Sequence, residues 1–297
     1  MTQQTSDRSA AGASQAGPDT THFGYRTVGR AEKAGLVRDV FDSVAGRYDL
    51  MNDLMSGGVH RLWKDSFVAQ VAPRPGMTCL DVGGGTGDIA FRILERMERR
   101  ARADARRAAP LDDTGSDRPD QDDAAHALAG PPGGGRVMVC DINAEMITVG
   151  RDRAMNRGLV EGLEWLVGDA ETLPVADASV DVYTIAFCLR NVTNIDAALA
   201  EARRVLKPGG RFFCLEFSTV VMPVLDKLYD TYSFSVLPNL GRFVAGNKEA
   251  YQYLAESIRR FPPQQELCRR MAAAGLRRPR HRNLSGGIAA IHSGWRL

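Results

Sequence analysis

Five short, predominantly apolar runs, each followed by turn-forming residues, constrain this chain more than any other feature. They are Met77–Val82, Arg136–Asp141, Leu163–Gly168, Val180–Phe187 and Arg211–Phe217. Apolar and polar residues do not alternate along them, so both faces must be covered, as in a parallel sheet clad with helices. Helices are expected over Asp88–Glu98, Ala144–Asn156 and Asp196–Leu206, the last stopped by Lys207–Pro208–Gly209–Gly210. This β-α-β-α alternation predicts an α/β, doubly wound sheet. A later helix over Ala250–Arg260 and two closing strands within Arg280–Leu297 complete the expectation, with Met222–Pro263 as an inserted segment.

With 297 residues and 44% hydrophobic content, the chain can bury the core of one large domain or at most two. Residues 1–21 are polar and small and read as a disordered tail, leaving 22–297 as the domain. The stretch from about Arg99 to Gly135 holds a basic run, several Asp and a Pro-Gly cluster, and reads as a surface insertion. The net charge of +2 comes from mixed signs without a concentrated basic face, so nucleic acid is not expected as a partner. The five cysteines are scattered and lack metal-type spacing; they read as core residues in a reducing compartment, and no metal site is expected. No apolar stretch is long enough to cross a membrane and none resembles a signal peptide. A cytoplasmic location follows, with any membrane contact peripheral.

Leu80–Asp81–Val82–Gly83–Gly84–Gly85–Thr86–Gly87–Asp88 joins the first strand to a helix. Glycines there let a ligand approach the backbone, and the helix start offers free N–H groups. A dinucleotide site would carry a third glycine where Asp88 stands. An acid at that point repels a pyrophosphate and suits a cation or amino group, such as the ammonium and sulfonium of S-adenosylmethionine. Asp141 ends the second strand, where a carboxylate can accept from both ribose hydroxyls, and Asp169 follows the third, within reach of an adenine amino group. Each acid alone reads equally as a helix cap; three at successive strand ends of a switch point favour the nucleotide site.

Further stretches bear on the acceptor. They are Tyr48–Asp49–Leu50–Met51–Asn52–Asp53–Leu54–Met55–Ser56 with His60 and Trp63, Arg204–Gly210 with Leu215–Ser218, Leu189–Val192, Tyr251–Ile258 and Asn283–Gly287. Together with the glycine turn they resemble the UbiE/MenG/Coq5 family of ubiquinone and menaquinone biosynthesis C-methyltransferases, over about residues 22–98 and 136–297. The resemblance implies a class I methyltransferase (Rossmann-like) fold with a helical N-terminal segment and a substrate-side insertion. It also implies S-adenosyl-L-methionine as cofactor and a polyprenylated quinol as substrate. Peripheral contact with an inner membrane, and a homodimer or a quinone-synthesis complex, are expected with it.

Carried over residue by residue, the resemblance puts cofactor contacts at Thr86, Asp141, Asp169, Ala170 and Ala186, beside Asp81, Gly83 and Gly85 of the turn. Ala186 stands where serine is frequent, so only its backbone or methyl can serve. Gly83 stands where alanine is frequent, and Cys188 where glycine is usual. Arg190 is the first catalytic candidate, as a guanidinium that stabilises a phenolate or orients a water, with a structural salt bridge as the equal alternative. His60 is a candidate base, or a packed residue beside Trp63. Tyr48 and Asn52 are expected to shape the mouth of the site, Asn191 to orient a quinol oxygen or cap a turn, and Tyr251 to join an aromatic wall with Phe234, Val236, Leu237, Phe243 and Tyr253.

Three other readings stay open at this level: a methyltransferase for another small hydrophobic acceptor, a nicotinamide-dependent oxidoreductase, and a non-catalytic scaffold. The choice between benzoquinol and naphthoquinol is open too.

Overall fold

The computed structural model describes residues 19–44, 53, 58–108, 134–220 and 248–297. Seven strands form the central sheet: β3 (Thr78–Val82), β4 (Arg136–Asp141), β5 (Leu163–Val167), β6 (Val180–Ala186), β7 (Leu206–Phe217), β8 (Arg277–Leu284) and β9 (Ala289–Trp295). A separate hairpin pairs β1 (Thr20–Phe23) with β2 (Arg26–Gly29). The sheet order is β5-β4-β3-β6-β7-β9-β8, parallel from β5 to β7 and antiparallel at β9 and β8. The strand order reverses beside β3, so the carboxyl ends of β3, β4 and β6 open a crevice there.

The apolar runs have the predicted cause. Along β7, Phe213, Leu215 and Phe217 point into one core, and Phe212 and Cys214 into the other. The first core is filled by α2 (His60–Val71) and α3 (Asp88–Ala108) through Trp63, Phe67, Ile93 and Met97. The second is filled by α5 (Ile195–Val205) and α7 (Gln264–Ala273) through Leu199, Ala202, Leu267 and Met271. Each such large side chain contributes roughly 1.5–3 kcal/mol by leaving water. The remaining helices are α1 (Arg30–Val44), α4 (Ala144–Asn156) and α6 (Lys248–Arg260).

Several boundaries differ from the sequence expectation. Helix α3 runs on past Glu98 to Ala108, so the first part of the expected insertion is helical. Arg99–Ala108 is nearly all Ala and Arg, both strong helix formers, and Arg100 donates to the carbonyls of Ala72 and Pro73 at 3.1 and 2.7 Å. Residues 109–133 lie outside the described residues. At the other end, Thr20 and Thr21, placed in the tail by composition, pair in β1; residues 1–18 lie outside the described set. Lys207–Pro208–Gly209–Gly210 does stop α5, yet β7 begins at Leu206, which pairs with Val180 before the register shifts. Helix α7 carried no expectation.

The N-terminal hairpin and α1 dock over the carboxyl edge of the sheet. Thr21 donates to the carbonyl of Thr193 (3.3 Å) and Lys33 to that of Val192 (2.8 Å). Phe23 stacks on Tyr253 with centroids 4.2 Å apart, and the Tyr25 N–H donates to Glu256. No described helix is long and apolar enough to cross a membrane.

Candidate active site

The turn after β3 is a backbone cradle. Gly83, Gly85 and Gly87 adopt φ of 61°, 50° and 83°, a region that favours glycine. The Gly85 N–H donates to Asp141 Oδ2 at 2.9 Å, which ties the turn to the end of β4. Asp141 Oδ1 accepts from the N–H of Asn143, and Asn143 in turn caps α4 by accepting from Glu145 and Met146.

Gly83 touches Cys188, the second residue beyond β6. A Cβ at Gly83 would lie 2.2 Å from the Cys188 sulfur. The two departures noted above, a glycine where alanine is frequent and a cysteine where glycine is usual, therefore occupy one and the same space. Gly83→Ala alone should destabilise the protein by about 1–3 kcal/mol through overpacking. Adding Cys188→Gly should recover a good part of that loss in a denaturant double-mutant cycle. Strictly additive losses would sink the compensation.

One cleft gathers most of the expected cofactor residues. Asp81, Gly83, Gly85, Thr86, Asp141 and Asp169 line it, as do Ala170 and Ala186. Asp81 is almost fully buried: its Oδ1 accepts from the Thr184 hydroxyl at 2.7 Å, while its Oδ2 has no hydrogen-bond partner in the structure. Burial pushes this carboxyl up to about 7, helped by the charges of Asp88 and Asp141 and opposed by Thr184 and Lys64. Burial also raises Asp141, against the N–H groups that it accepts. The Thr86 hydroxyl accepts from Arg153 at 2.6 Å. Asp169 Oδ1 accepts from the N–H of Glu171, and Glu171 holds the N–H groups of Thr193 and Asn194 at 2.7 and 2.8 Å.

Asp88 does not wait for an amino group. It pairs with Lys64 at 2.8 Å and with Arg92 at 3.3 Å. Burial raises its pKa, but Lys64 and Arg92 outweigh that and leave it lowered. The free acceptor at this end of the cleft is Asp81.

Of the acceptor-side candidates, Asn191 lines the cleft, and its Oδ1 accepts from the Tyr253 hydroxyl at 3.1 Å. Arg190 does not line it. Its side chain is fully buried on a turn at Leu189–Asn191, bound to both oxygens of Glu216 at 3.1 and 3.0 Å and to the Phe187 carbonyl at 2.6 Å. Its guanidinium also lies over the Phe217 ring. The pair with Glu216 on β7 is the contact that the structural alternative for Arg190 describes, and the part of Arg190 in turnover is a question for the Arg190→Ala variant. His60 is 2% exposed at the start of α2, 3.4 Å from Asp53, and is not among the described residues that line the cleft. Tyr48 and Asn52, with Phe234, Val236, Leu237 and Phe243, lie outside the described residues, as does the side chain of Tyr251.

Sequence reasoning missed Arg38, Lys64, Asn143 and Met146, which also line the cleft. Asn143 carried a signal, being the cap residue ahead of an expected helix. Arg38 and Lys64 carried none, because they reach the cleft from helices outside the β-α repeat.

A switch-point crevice with glycines after its first strand and carboxylates after three strands defines a Rossmann-like protein of the methyltransferase class. A SAM-dependent methyltransferase from Thermotoga maritima shares this fold at 16% identity, with TM-score 0.53 over 88% of this chain and 100% of that one. A model of the ubiE/COQ5 methyltransferase family matches residues 27–296. The chain is 48% identical, over the whole of both proteins, to ubiquinone/menaquinone biosynthesis C-methyltransferase UbiE of Brucella anthropi. It is 52% identical to mitochondrial 2-methoxy-6-polyprenyl-1,4-benzoquinol methylase of Rattus norvegicus, across 93% of this chain and 84% of that protein. The chain belongs to the ubiE/COQ5 methyltransferase family.

Proposed function

We propose that this protein transfers a methyl group from S-adenosylmethionine to a ring carbon of a reduced polyprenyl quinol, in ubiquinone or menaquinone synthesis. The observation that carries the reading is the cleft between β3, β4 and β6, with its glycine cradle and its partnerless buried carboxylate oxygen on Asp81. These features fit the cofactor: the cradle would admit its methionyl arm, Asp81 would accept from its ammonium, and Asp141 would accept from its ribose hydroxyls. When bound, the cofactor supplies an electrophilic methyl on a sulfonium.

The protein's own work is alignment and charge. Holding donor and acceptor in line supplies much of the barrier reduction. Asn191 lines the cleft, and with its Oδ1 accepting from Tyr253 its NH₂ group can donate to a quinol oxygen. That contact favours the hydroxyl oxygen as it gains negative charge, which makes the ring carbon more nucleophilic. The N-terminal hairpin and α1 cover the cleft from the side of Val192 and Thr193 and exclude water. A polyprenyl substrate resides in lipid, so the protein meets it by peripheral contact with a membrane surface.

Cofactor choice tests the reading. S-Adenosylmethionine should raise the melting temperature of the full chain and NAD should not; the reverse would return the nicotinamide reading. The Asp81 carboxyl adds a pH signature. A bound cation favours its ionised form, so affinity should rise between about pH 6 and pH 8 and then level off, with a proton released on binding below about pH 7. In the free protein the sign is opposite. The folded state holds the extra proton, so stability falls as pH rises from the ordinary value of 3.8 towards about 7. A pH-independent affinity over this range would remove Asp81 from the site.

A further inference from the structure

The cleft is lined by five carboxylates (Asp81, Asp88, Asp141, Asp169 and Glu171) and two cations, Arg38 and Lys64. Such a lining repels a ligand carboxylate unless the two cations are placed to receive it. Their placement is specific. Lys64 is 5% exposed, on α2, and among the described residues its partner is Asp88 at 2.8 Å, which leaves two of the three ammonium N–H donors for the cleft. Its charge also favours the ionised form of Asp81, and both side chains line the same cleft. Arg38 is exposed on α1, in the same turn as the cleft-lining Ala34 and Val37, and makes no ion pair or hydrogen bond among the described residues. Two helices outside the β-α repeat thus bring positive charge to the cleft in which Asp81 offers its free oxygen.

We propose that Lys64 and Arg38 form a carboxylate subsite that, with Asp81 taking the ammonium, holds the amino-acid end of S-adenosylmethionine. The inference rests on the proposed cofactor and adds which end of it lies where. Lys64 is the fixed half, oriented by Asp88. Arg38 is the rim half, and its contact draws α1 down over the bound cofactor. The ammonium and carboxylate of one ligand are then read by an anion and a cation on neighbouring elements. Asp88 acts by positioning Lys64 and not by touching the ligand.

Calorimetric titration with S-adenosylmethionine and with its decarboxylated analogue separates the outcomes. Arg38→Gln and Lys64→Gln should each weaken S-adenosylmethionine about tenfold to a hundredfold, the range expected for a lost charge-assisted hydrogen bond. Neither should weaken the decarboxylated analogue, whose added net positive charge suits the more acidic cleft. A merely structural role would weaken both ligands alike, and that result, or no effect on either, overturns the subsite. Should Lys64→Gln leave Asp88 too exposed to fold, Arg38→Gln on its exposed helix face decides the question. Failure of the wild-type chain to bind either ligand would instead remove the cofactor reading itself.

Discussion

Replacing Asp141 by alanine should weaken S-adenosylmethionine binding by roughly a hundredfold to ten-thousandfold. Two hydrogen bonds from ribose hydroxyls to a carboxylate contribute about 1.5–3 kcal/mol each, and every 1.4 kcal/mol is a factor of ten. The loss has a second source within the free protein. Asp141 Oδ2 is the acceptor for the Gly85 N–H, and Oδ1 the acceptor for Asn143. Without the carboxylate, the glycine turn loses its tie to β4, and the cradle is no longer set before the ligand arrives. Asp141→Asn keeps one carbonyl acceptor and should fall between the two. Calorimetry reads the affinity, and thermal melting checks that the fold survives. An affinity within threefold of wild type for Asp141→Ala would detach this residue from the cofactor.

Arg190→Ala should cost about 3–5 kcal/mol of stability, the loss that follows when one partner of a buried ion pair is removed. Both side chains of the pair are completely shielded from solvent. Truncation would leave Glu216 charged and alone between β7 and the turn at Leu189–Asn191, and would also free the Phe187 carbonyl. The melting temperature should drop by roughly 10 °C. Joint replacement, Arg190→Met with Glu216→Leu, removes both charges and should recover part of the loss; the N–H groups of Arg190 and Phe217, which donate to Glu216, keep the recovery incomplete. Because Asn191 is carried by the same turn, turnover should fall together with stability. A stable Arg190→Ala protein that binds the cofactor and fails to turn over would favour the catalytic reading.

The sheet was legible because its central strands are buried on both faces, and that demand leaves unbroken apolar runs at Val137–Cys140 and Phe212–Leu215. The position of Asp141 and Asp169 on the cleft was legible because each lies at, or just past, the end of a strand run. What the sequence hid depends on contacts between distant segments. Arg190 reads equally as a reactive cation or a salt-bridge partner, and the partner itself, Glu216 on another strand, is visible only in the fold. Asp88 reads as a ligand until Lys64 and Arg92 are seen to hold it. Gly83 and Cys188 read as two unrelated departures until their contact appears. Arg99–Ala108 shows the converse error: a charged run without core residues reads as disorder, although Ala and Arg propensity with a capped neighbouring helix keeps it helical.

The central claim is methyl transfer to a reduced ring. Its most direct test is incubation of the full chain with methyl-labelled S-adenosylmethionine and a short-tailed methoxy-benzoquinol or demethylnaphthoquinol, each reduced and oxidised, with Asp141→Ala as the control. Label should appear on a ring carbon of one or both reduced quinols and not on the oxidised quinones, and should vanish in the variant. A protein that binds S-adenosylmethionine and labels neither reduced quinol would contradict the assignment.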